Sequence, residues 1–494
     1  MKMSPSRAAG RIELSRAPRM GCASLLLVAL TSATAFAQMP NGVGSLAAPG
    51  DNAGTNTVSP LRVAAAPKER IEADKTDDAL AEKDIEAGGE RGAHVSGFYQ
   101  FEGAYTTPSP AHFSKLRNRL EVSANGKFSE NLNWKLGGGV YYDAIYDLSD
   151  FYPGSVRHDQ RFDAVARENY LDWSVGEFDF RFGRQHIIWG EVVSLFVADV
   201  VSAKDFREFV LPDFDLIRIP QWAARAEYFK NDFHAEAIFV PKVTVDNIGK
   251  PGADFYPFPP PPPAGFGYVI EDEIKPSSSI SNASYGARFS YLKNGWDAAF
   301  FYYRSTDVSP TFRRTIIDQP APAFVYTPIH KRISQGGVTL SKDFESFVFK
   351  MESVYTAGRD YNVSRLDSND GLVRQNTLDY ILGIDVPLPL DTRINAQFFQ
   401  RVFFNHDADT GFSRAESDVS FLISRQLTST LTPELLLVSS VNRKDWMIRP
   451  KVTWVFATNW RLAAGADFFG GSPTGYFGRY NSKDRTYLEL RYSF

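Results

Sequence analysis

The sequence predicts an all-β fold, a transmembrane antiparallel β-barrel of about eighteen strands, with sixteen strands as the alternative. Three observations predict it. From residue 94 to the C-terminus, segments of about 10 to 13 residues carry an apolar or aromatic side chain at every second position. Short and long connections alternate between these segments. The last segment keeps the alternation up to a terminal phenylalanine, Phe494.

Composition excludes several other classes of protein. The chain has 494 residues, with 54 Lys and Arg against 58 Asp and Glu, so a nucleic-acid partner has no global electrostatic support. Mean hydropathy is -0.27, and no run of about 18 apolar residues follows the first forty residues, which excludes a helical membrane bundle. The single cysteine, Cys22, lies in the predicted signal peptide, so we expect no disulfide and no Cys-ligated metal in the mature chain. We also predict no cofactor.

Residues 1–37 have the pattern of a secretory signal peptide. Four arginines precede an apolar stretch at 23–30, and a small-residue end follows at Ala35-Phe36-Ala37. We expect cleavage after Ala37. The alternative is a single membrane anchor, although the apolar part is short for a bilayer span.

Residues 38–93 are rich in Gly, Ala, Pro and charged residues and bury little apolar surface. We predict a disordered periplasmic extension. The alternative is a short helix around Ile71, Leu80 and Ile85 that docks on another surface.

Eighteen segments of the remaining chain, 94–494, have the strand pattern, and the two weakest of them, 331–341 and 433–442, are the reason for keeping sixteen as an alternative. The predicted strands are 94–106, 115–128, 131–145, 164–175, 178–187, 221–230, 232–241, 282–292, 296–306, 331–341, 345–357, 375–386, 391–403, 415–427, 433–442, 446–457, 460–470 and 482–494.

The segment 446–456 shows why a barrel is favoured over a membrane helix. One face of this segment holds Trp446, Val452 and Trp454, and the other holds Arg449 and Lys451. An Arg or Lys at a membrane helix centre costs about 2.5 to 3.5 kcal/mol, whereas a strand directs it into an enclosed lumen. We therefore expect the apolar face to contact lipid. A soluble β-sandwich would need units of about 100 residues, which the pattern does not show.

The connections indicate which end of the barrel is outside. We assign the short turns to the periplasm and the long loops, 146–163, 188–220, 242–281, 307–330, 358–374 and 404–414, to the cell exterior. The C-terminal strand resembles the signature of Gram-negative outer-membrane proteins, which implies recognition of Phe494 by the barrel-assembly machinery. The expected location is the outer membrane, in contact with lipid and lipopolysaccharide, as a monomer or a trimer.

Polar positions on the opposite face predict the lumen wall. The charges of both signs expected there, where they form either a hydrated channel wall or mutual salt bridges, include Arg117, Arg119, Glu168, Asp172, Arg225, Glu227, Arg393, Arg449 and Lys451. The loop 188–220, which we count as the third long connection, is too apolar for an exposed loop. General porins, which this pattern resembles, fold their third loop into the lumen, and we expect the same here, with an external cap as the alternative.

This loop also carries the pattern Arg184-Gln185-x-x-x-Trp189-Gly190, followed by Arg207-Glu208-x-x-x-Pro212 and Arg218-Ile219-Pro220. The pattern resembles a family of proteobacterial outer-membrane proteins known as a domain of unknown function. That resemblance implies a porin-like barrel that moves hydrophobic compounds. The candidate residues for constriction or cargo contact are Arg181, Arg184, Gln185, Trp189, Glu191, Asp199, Asp205, Arg207, Asp213 and Arg218. The alternative is that these charges only hold the loop.

The expected function is a porin-like channel for passive or facilitated passage of small solutes, including hydrophobic or amphipathic ones. The sequence has no Gly-x-Ser-x-Gly or His-Glu-x-x-His motif, and we predict no catalytic or metal-binding residues. The alternatives are an outer-membrane hydrolase with an active site at the rim, tested by loss of hydrolysis in His186→Ala, and an adhesin or structural barrel.

Overall fold

The computed structural model describes residues 93–190, 192, 196–317 and 321–494. The predicted signal peptide, the extension up to residue 92 and the candidate residue Glu191 lie outside the described residues. The described part contains strands β1 (His94–Thr106), β2 (His112–Ser129), β3 (Leu132–Asp143), β4 (Phe162–Val175), β5 (Phe178–Gln185), β6 (Ala203–Lys204), β7 (Arg218–Ile219), β8 (Gln221–Lys230), β9 (Phe233–Lys242), β10 (Gly267–Ile270), β11 (Ser284–Lys293), β12 (Trp296–Thr306), β13 (Thr311–Ile317), β14 (Ala323–Ile329), β15 (Arg332–Asp343), β16 (Val348–Asn362), β17 (Leu372–Leu388), β18 (Thr392–Phe404), β19 (Ala415–Arg425), β20 (Leu431–Ser440), β21 (Trp446–Ala457), β22 (Trp460–Gly470) and β23 (Arg485–Ser493).

Helical segments are short and lie in the connections. They are α1 (Ile145–Leu148), α2 (Gly154–Gln160) and α3 (Phe214–Ile217), together with three 3-10 turns at Ile280–Asn282, Ala408–Thr410 and Gly478–Tyr480. Within the described ranges, none of the helices has the length and apolar content needed to cross a bilayer.

Eighteen of the strands form one antiparallel sheet that closes on itself. Each strand of this sheet pairs with the sheet strands that precede and follow it in the chain. The ring closes because β1 pairs with both β2 and the last strand, β23. The seam between first and last strand runs from Phe98 opposite Ser493 to Thr106 opposite Arg485. The predicted barrel and its strand number are confirmed. The two weak segments form β15 and β20, so the count is eighteen and not sixteen.

The faces of the strands follow the predicted alternation. In β12, Phe300 is 54% exposed while its neighbour Phe301 is fully buried. Large apolar side chains recur on the exposed face around the whole sheet, and the opposite face carries buried charged and polar side chains. A closed sheet leaves no unpaired edge, and an outward apolar band suits the hydrocarbon layer of a membrane. The chain is an outer-membrane β-barrel.

Short connections lie at one end of the barrel and long ones at the other. The short end has turns such as 130–131, 176–177, 231–232 and 458–459. The start of β1 and the end of β23 also lie at this end. The long end carries 144–161, 186–220, 243–283, 307–331 and 471–484. Three short strands, β10, β14 and β13, form a separate small sheet within the long connections.

A polar cluster at the long-loop rim joins distant parts of the chain. The carboxylate of Asp254 accepts a hydrogen bond from the Tyr152 hydroxyl at 2.7 Å, lies 3.2 Å from His112 Nε2 and pairs with Lys483 Nζ at 2.8 Å. Burial by itself would raise the pKa of Asp254, but the hydrogen bond from His112 and the charge of Lys483 lower the pKa to about 2. The ionised form of Asp254 therefore stabilises the rim.

This pKa predicts a pH-dependent contribution to stability. A carboxyl group whose folded pKa lies below its ordinary value of 3.8 stabilises the fold above that value, and the contribution is lost as pH falls from about 4 to about 2. We expect Asp254→Asn to lower the free energy of unfolding by about 2 kcal/mol at pH 7 and by almost nothing at pH 2. Denaturant titration in detergent micelles at both pH values measures this.

The matched control for this prediction is Asp150→Asn. Asp150 pairs with Arg157 at 2.8 Å but its side chain is 97% exposed, so its loss is expected to change stability little at either pH. An Asp254→Asn effect that stays the same size at pH 2 would contradict the assignment.

Candidate functional site

The connection from β5 to β8, residues 186–220, is the candidate site. It begins inside the barrel because β5 has only eight residues, whereas its neighbour β4 has fourteen. At about 3.3 Å per residue, the wall strand ends well below the height that β4 reaches. Gln185, the last residue of β5, is fully buried, and its side-chain amide donates to the carbonyl oxygen of Ala223 at 3.1 Å. The connection therefore leaves the wall on the lumen side.

Trp189 anchors the first part of the connection. Its indole N–H donates to Glu236 Oε2 of β9 at 3.0 Å, and its ring lies 5.1 Å from Phe301 and 5.8 Å from Tyr303, both on β12. A β-carbon on Gly286 of β11 would lie 2.8 Å from the Tyr303 ring and 3.0 Å from the Trp189 ring, so glycine at this position leaves room for both rings. The rings of Trp189, Phe301 and Tyr303 belong to a buried apolar cluster that includes Ile187, Val197, Val200 and Val201 from the connection.

Glu352 of β16 holds the next turn of the connection. Its two carboxylate oxygens accept hydrogen bonds from the backbone N–H groups of Val192, at 2.9 Å, and Ala198, at 2.8 Å. The side chain is buried in the wall. A carboxylate that bonds to backbone N–H groups fixes the backbone itself and not merely one side chain.

The middle of the connection is held by its own ion pairs. Strands β6 and β7 pair with each other. Arg218 Nε donates to Asp199 Oδ2 at 2.9 Å, and Arg207 bonds to both Asp205 and Asp163, the latter at 2.9 Å. The predicted residues Arg218 and Asp199 thus pair with each other, and so do Arg207 and Asp205. This agrees with the alternative that these charges hold the loop.

Glu208 anchors the far part of the connection to another arc of the barrel. Its carboxylate contacts Lys115 and, at 2.6 Å, Arg117 on β2, and it lies 3.3 Å from Arg485 on β23. Burial raises the pKa of a carboxyl group, but Lys115, Arg117 and Arg485 hold the pKa of Glu208 well below its usual range. Arg449 of β21 adds a hydrogen bond to the carbonyl oxygen of Leu211 at 2.7 Å.

The two anchors are far apart around the sheet. Trp189 and Val192 contact β9, β12 and β16, whereas Glu208 and Leu211 contact β2, β21 and β23. In the order of the closed sheet, β12 is separated from β2 and from β23 by many strands on either side. The connection thus touches the inner face on opposite arcs.

Asp213 lies in a group of cations on the same inner face. Its carboxylate oxygens are 3.9 Å from Lys451 on β21, 3.8 Å from Arg461 on β22 and 3.7 Å from Arg491 on β23. Burial opposes ionisation, but these cations lower the pKa of Asp213 to about 2. None of the three distances is a direct hydrogen bond.

The structure pairs most of the predicted lumen-wall residues with a neighbour. Bonds within the wall join Arg119 to Glu121, Lys135 to Glu168, Arg181 to Asp172, Arg225 to Glu227 and Glu236, and Arg449 to Asp467. Arg393 lies on β18 opposite Ser424 and Pro387. The candidate Arg181 therefore sits in the wall, with its guanidinium 4.1 Å above the Tyr170 ring, and not on the connection.

Arg184 corrects one expectation. It lies on β5 directly opposite Trp222, whose side chain is exposed, and two residues from the exposed Phe182. By register it belongs to the outer face and not to the lumen. The reading from sequence placed it in the constriction because the short strand continues into the motif without a visible break.

Other residues at the site were not predicted. Lys115 and Arg485, which contact Glu208, are outside the predicted set, and the sequence indicates Glu208 only through its motif. The one signal in the sequence was the position of Glu208 beside Arg207 in a segment otherwise apolar.

A Ser-His-Glu group on the wall bears on the hydrolase alternative. His234 lies 3.3 Å from the Ser290 hydroxyl through Nδ1 and 3.0 Å from Glu227 through Nε2. Ser290 lies within β11, which pairs with β9 and β12 on its two sides, so its neighbouring backbone N–H groups are used in the sheet. An oxyanion site needs such groups free. The described residues also contain no cluster of three or more metal-ligating side chains.

Comparison with known proteins gives distant similarity in structure. OmpF of Salmonella typhi, solved in complex with daunomycin, has 10% identity and a TM-score of 0.42 over 82% of this chain and 98% of that one. OccK8 (OprE) of Pseudomonas aeruginosa has 10% identity and a TM-score of 0.49 over 81% and 98%. OccAB1 of Acinetobacter baumannii has 9% identity and a TM-score of 0.49 over 81% and 96%. None of these similarities is close enough to support an argument about function.

No curated protein matches the chain. The expected resemblance to a barrel family of unknown function is confirmed at the level of the family. A family profile described as "Protein of unknown function (DUF1302)" matches residues 16–417, which is most of the chain, and the protein therefore belongs to that family.

Proposed function

We propose that the protein is a porin-like channel through which small amphipathic or hydrophobic solutes cross the outer membrane without an energy source. In this proposal, residues 186–220 form the constriction. The observation that supports it is the attachment of this connection to opposite arcs of the inner wall, through Trp189 and Glu352 on one arc and Glu208 on the other.

The size of the barrel gives this attachment its importance. Eight strands enclose a lumen that side chains fill, whereas barrels of 16 to 18 strands leave an aqueous channel. An eighteen-stranded wall needs a further segment if passage is to be restricted. Residues 186–220 supply that segment, and their anchors determine how much of the lumen remains open.

The charges beside Asp213 favour an anionic head group on the solute. Lys451, Arg461 and Arg491 surround one carboxylate at distances longer than a hydrogen bond, so a second anion can compete for them. Leu211 and Leu216 line a small cavity next to Asp213. The proposal places an apolar part of the solute beside these leucines and its carboxylate or phosphate head toward the cations.

Ion selectivity tests this proposal. We expect the reversal potential under a salt gradient in planar bilayers to show preference for anions over cations. Replacing two of the three cations, in Lys451→Gln/Arg461→Gln, is expected to lower the anion preference by roughly threefold or more, because less positive potential remains at the constriction.

The control is Lys350→Gln, which removes a cation from β16. Lys350 pairs with Asp385 at 3.0 Å and is not one of the cations around Asp213. It should leave selectivity close to that of the unmodified protein. A cation-selective pore, or equal selectivity in all three proteins, would contradict an anionic head group.

We also propose that the C-terminal residue serves assembly by the barrel-assembly machinery. Phe494 exchanges backbone hydrogen bonds with Gly97, at 2.9 and 2.8 Å, and its side chain is 47% exposed. The last residue thus completes the seam of the barrel while its ring stays accessible at the periplasmic end.

A further inference from the structure

Three phenylalanine side chains within residues 186–220 lie against one another, and we call them the aromatic cluster. The ring of Phe196 is 4.8 Å from the ring of Phe214 and 6.3 Å from the ring of Phe206, in edge-to-face geometry in both cases. Aromatic pairs of this kind contribute about 0.5 to 1.5 kcal/mol beyond the area that they bury. A further aromatic ring that reached the cluster would gain the same kind of contact.

The aromatic cluster is partly exposed, although its neighbours in the chain are covered. Val197 and Ile217 are almost fully buried, whereas each of the three phenylalanines is only half-buried. Residues 186–220 are attached to the inner face of the wall, so solvent reaches these rings from inside the barrel. An apolar group that entered the lumen would cover them, and burial of apolar surface is favourable by about 25 cal/mol per Å².

Two cations lie over the rings of the aromatic cluster. Lys204 Nζ is 4.8 Å from the centre of the Phe196 ring. The guanidinium carbon of Arg218 is 5.7 Å from the centre of the Phe196 ring and 5.9 Å from that of Phe214. Arg218 is held in place by Asp199, to which its Nε donates at 2.9 Å. A guanidinium plane stacks on aromatic faces, so the site offers both rings and a cation to a flat aromatic group.

The aromatic cluster adjoins the cations around Asp213. Phe214 follows Asp213 directly and begins α3, and consecutive Cα atoms are about 3.8 Å apart. The ring of Phe214 is therefore one residue along the chain from the carboxylate that Lys451 and Arg461 surround. A solute that contacts both features has its apolar group close to its anionic head.

We propose that the aromatic cluster binds the ring of an aromatic carboxylate while the carboxylate faces the cations around Asp213. This inference rests on the proposed channel function and names the chemical class of its solute. Contact with Phe196 and Phe214 distinguishes a flat aromatic ring from a flexible alkyl chain, because the alkyl chain has no π face to offer to the rings or to Arg218.

Block of the single-channel current by benzoate in planar bilayers tests this proposal. A solute that occupies the constriction interrupts the ion current, so the concentration that gives half-block reports its affinity. We expect benzoate to block the unmodified protein at a lower concentration than hexanoate, which has the same head group on a flexible chain. Phe196→Leu/Phe214→Leu keeps apolar side chains and removes both rings. It is expected to weaken the benzoate block by roughly tenfold and the hexanoate block by less than about twofold.

The matched control is Phe412→Leu. Phe412 is also partly exposed, and the guanidinium carbon of Arg443 lies 5.0 Å from its ring centre. However, Phe412 belongs to the connection 405–414, where its ring packs 5.6 Å from Phe403. Its replacement is expected to leave both blocks unchanged. Unheated gel migration reports whether each variant is folded, and Phe214→Leu alone, with a roughly threefold weaker benzoate block, takes the place of a double variant that does not fold.

Three outcomes would overturn the proposal. An unchanged benzoate block in the folded variant would show that the rings do not contact the solute, and equal losses for benzoate and hexanoate would show that they only pack the connection. Hexanoate that blocks the unmodified protein as well as benzoate would also contradict an aromatic solute. All three are read in a protein that conducts, whereas an unmodified protein without conductance would refute the channel itself.

Discussion

Glu208→Gln is expected to raise the single-channel conductance and to make the current noisy. The Glu208 side chain is buried and is shared by Lys115, Arg117 and Arg485. Removing one partner from a buried ion pair costs about 3 to 5 kcal/mol, because the remaining charges are left uncompensated. In this case the cost falls on the attachment of the connection and not on the sheet, so residues near 208 are expected to leave the wall.

The control for Glu208 lies in the same connection. Asp215 is half-exposed and lies 3.6 Å from Arg218, so Asp215→Asn removes the same charge without breaking a buried network. We expect its conductance to match that of the unmodified protein. A folded Glu208→Gln barrel with unchanged conductance would show that this attachment does not limit the pore.

The barrel itself was predictable from the sequence because a strand's side-chain period is a local property. Each lipid-facing strand needs an apolar side chain at every second position, so the pattern in 446–456 predicts which face of β21 is exposed. Turn residues then mark where strands end. Even the two weakest segments, which form β15 and β20, keep enough alternation to be recognised.

The site was predictable only in part, because its contacts depend on closure of the barrel. Glu208 meets Arg117 across 91 residues and Arg485 across 277 residues. No local pattern selects those partners from the many charges of the wall. The early end of β5 also has no clear signal, and this is why Arg184 was placed in the lumen although its register puts it on the outer face.

The central claim is that residues 186–220 limit passage through a barrel that is otherwise wide. The most direct test is the planar-bilayer conductance of full-length protein in which residues 190–215 are replaced by a glycine-serine linker. The eighteen-stranded ladder pairs without this segment, so the variant should still migrate as a folded barrel in unheated gels. We predict a stable conductance at least roughly fivefold higher, as expected for an unobstructed barrel of this strand number. A folded variant that conducts no more than the unmodified protein would contradict the account.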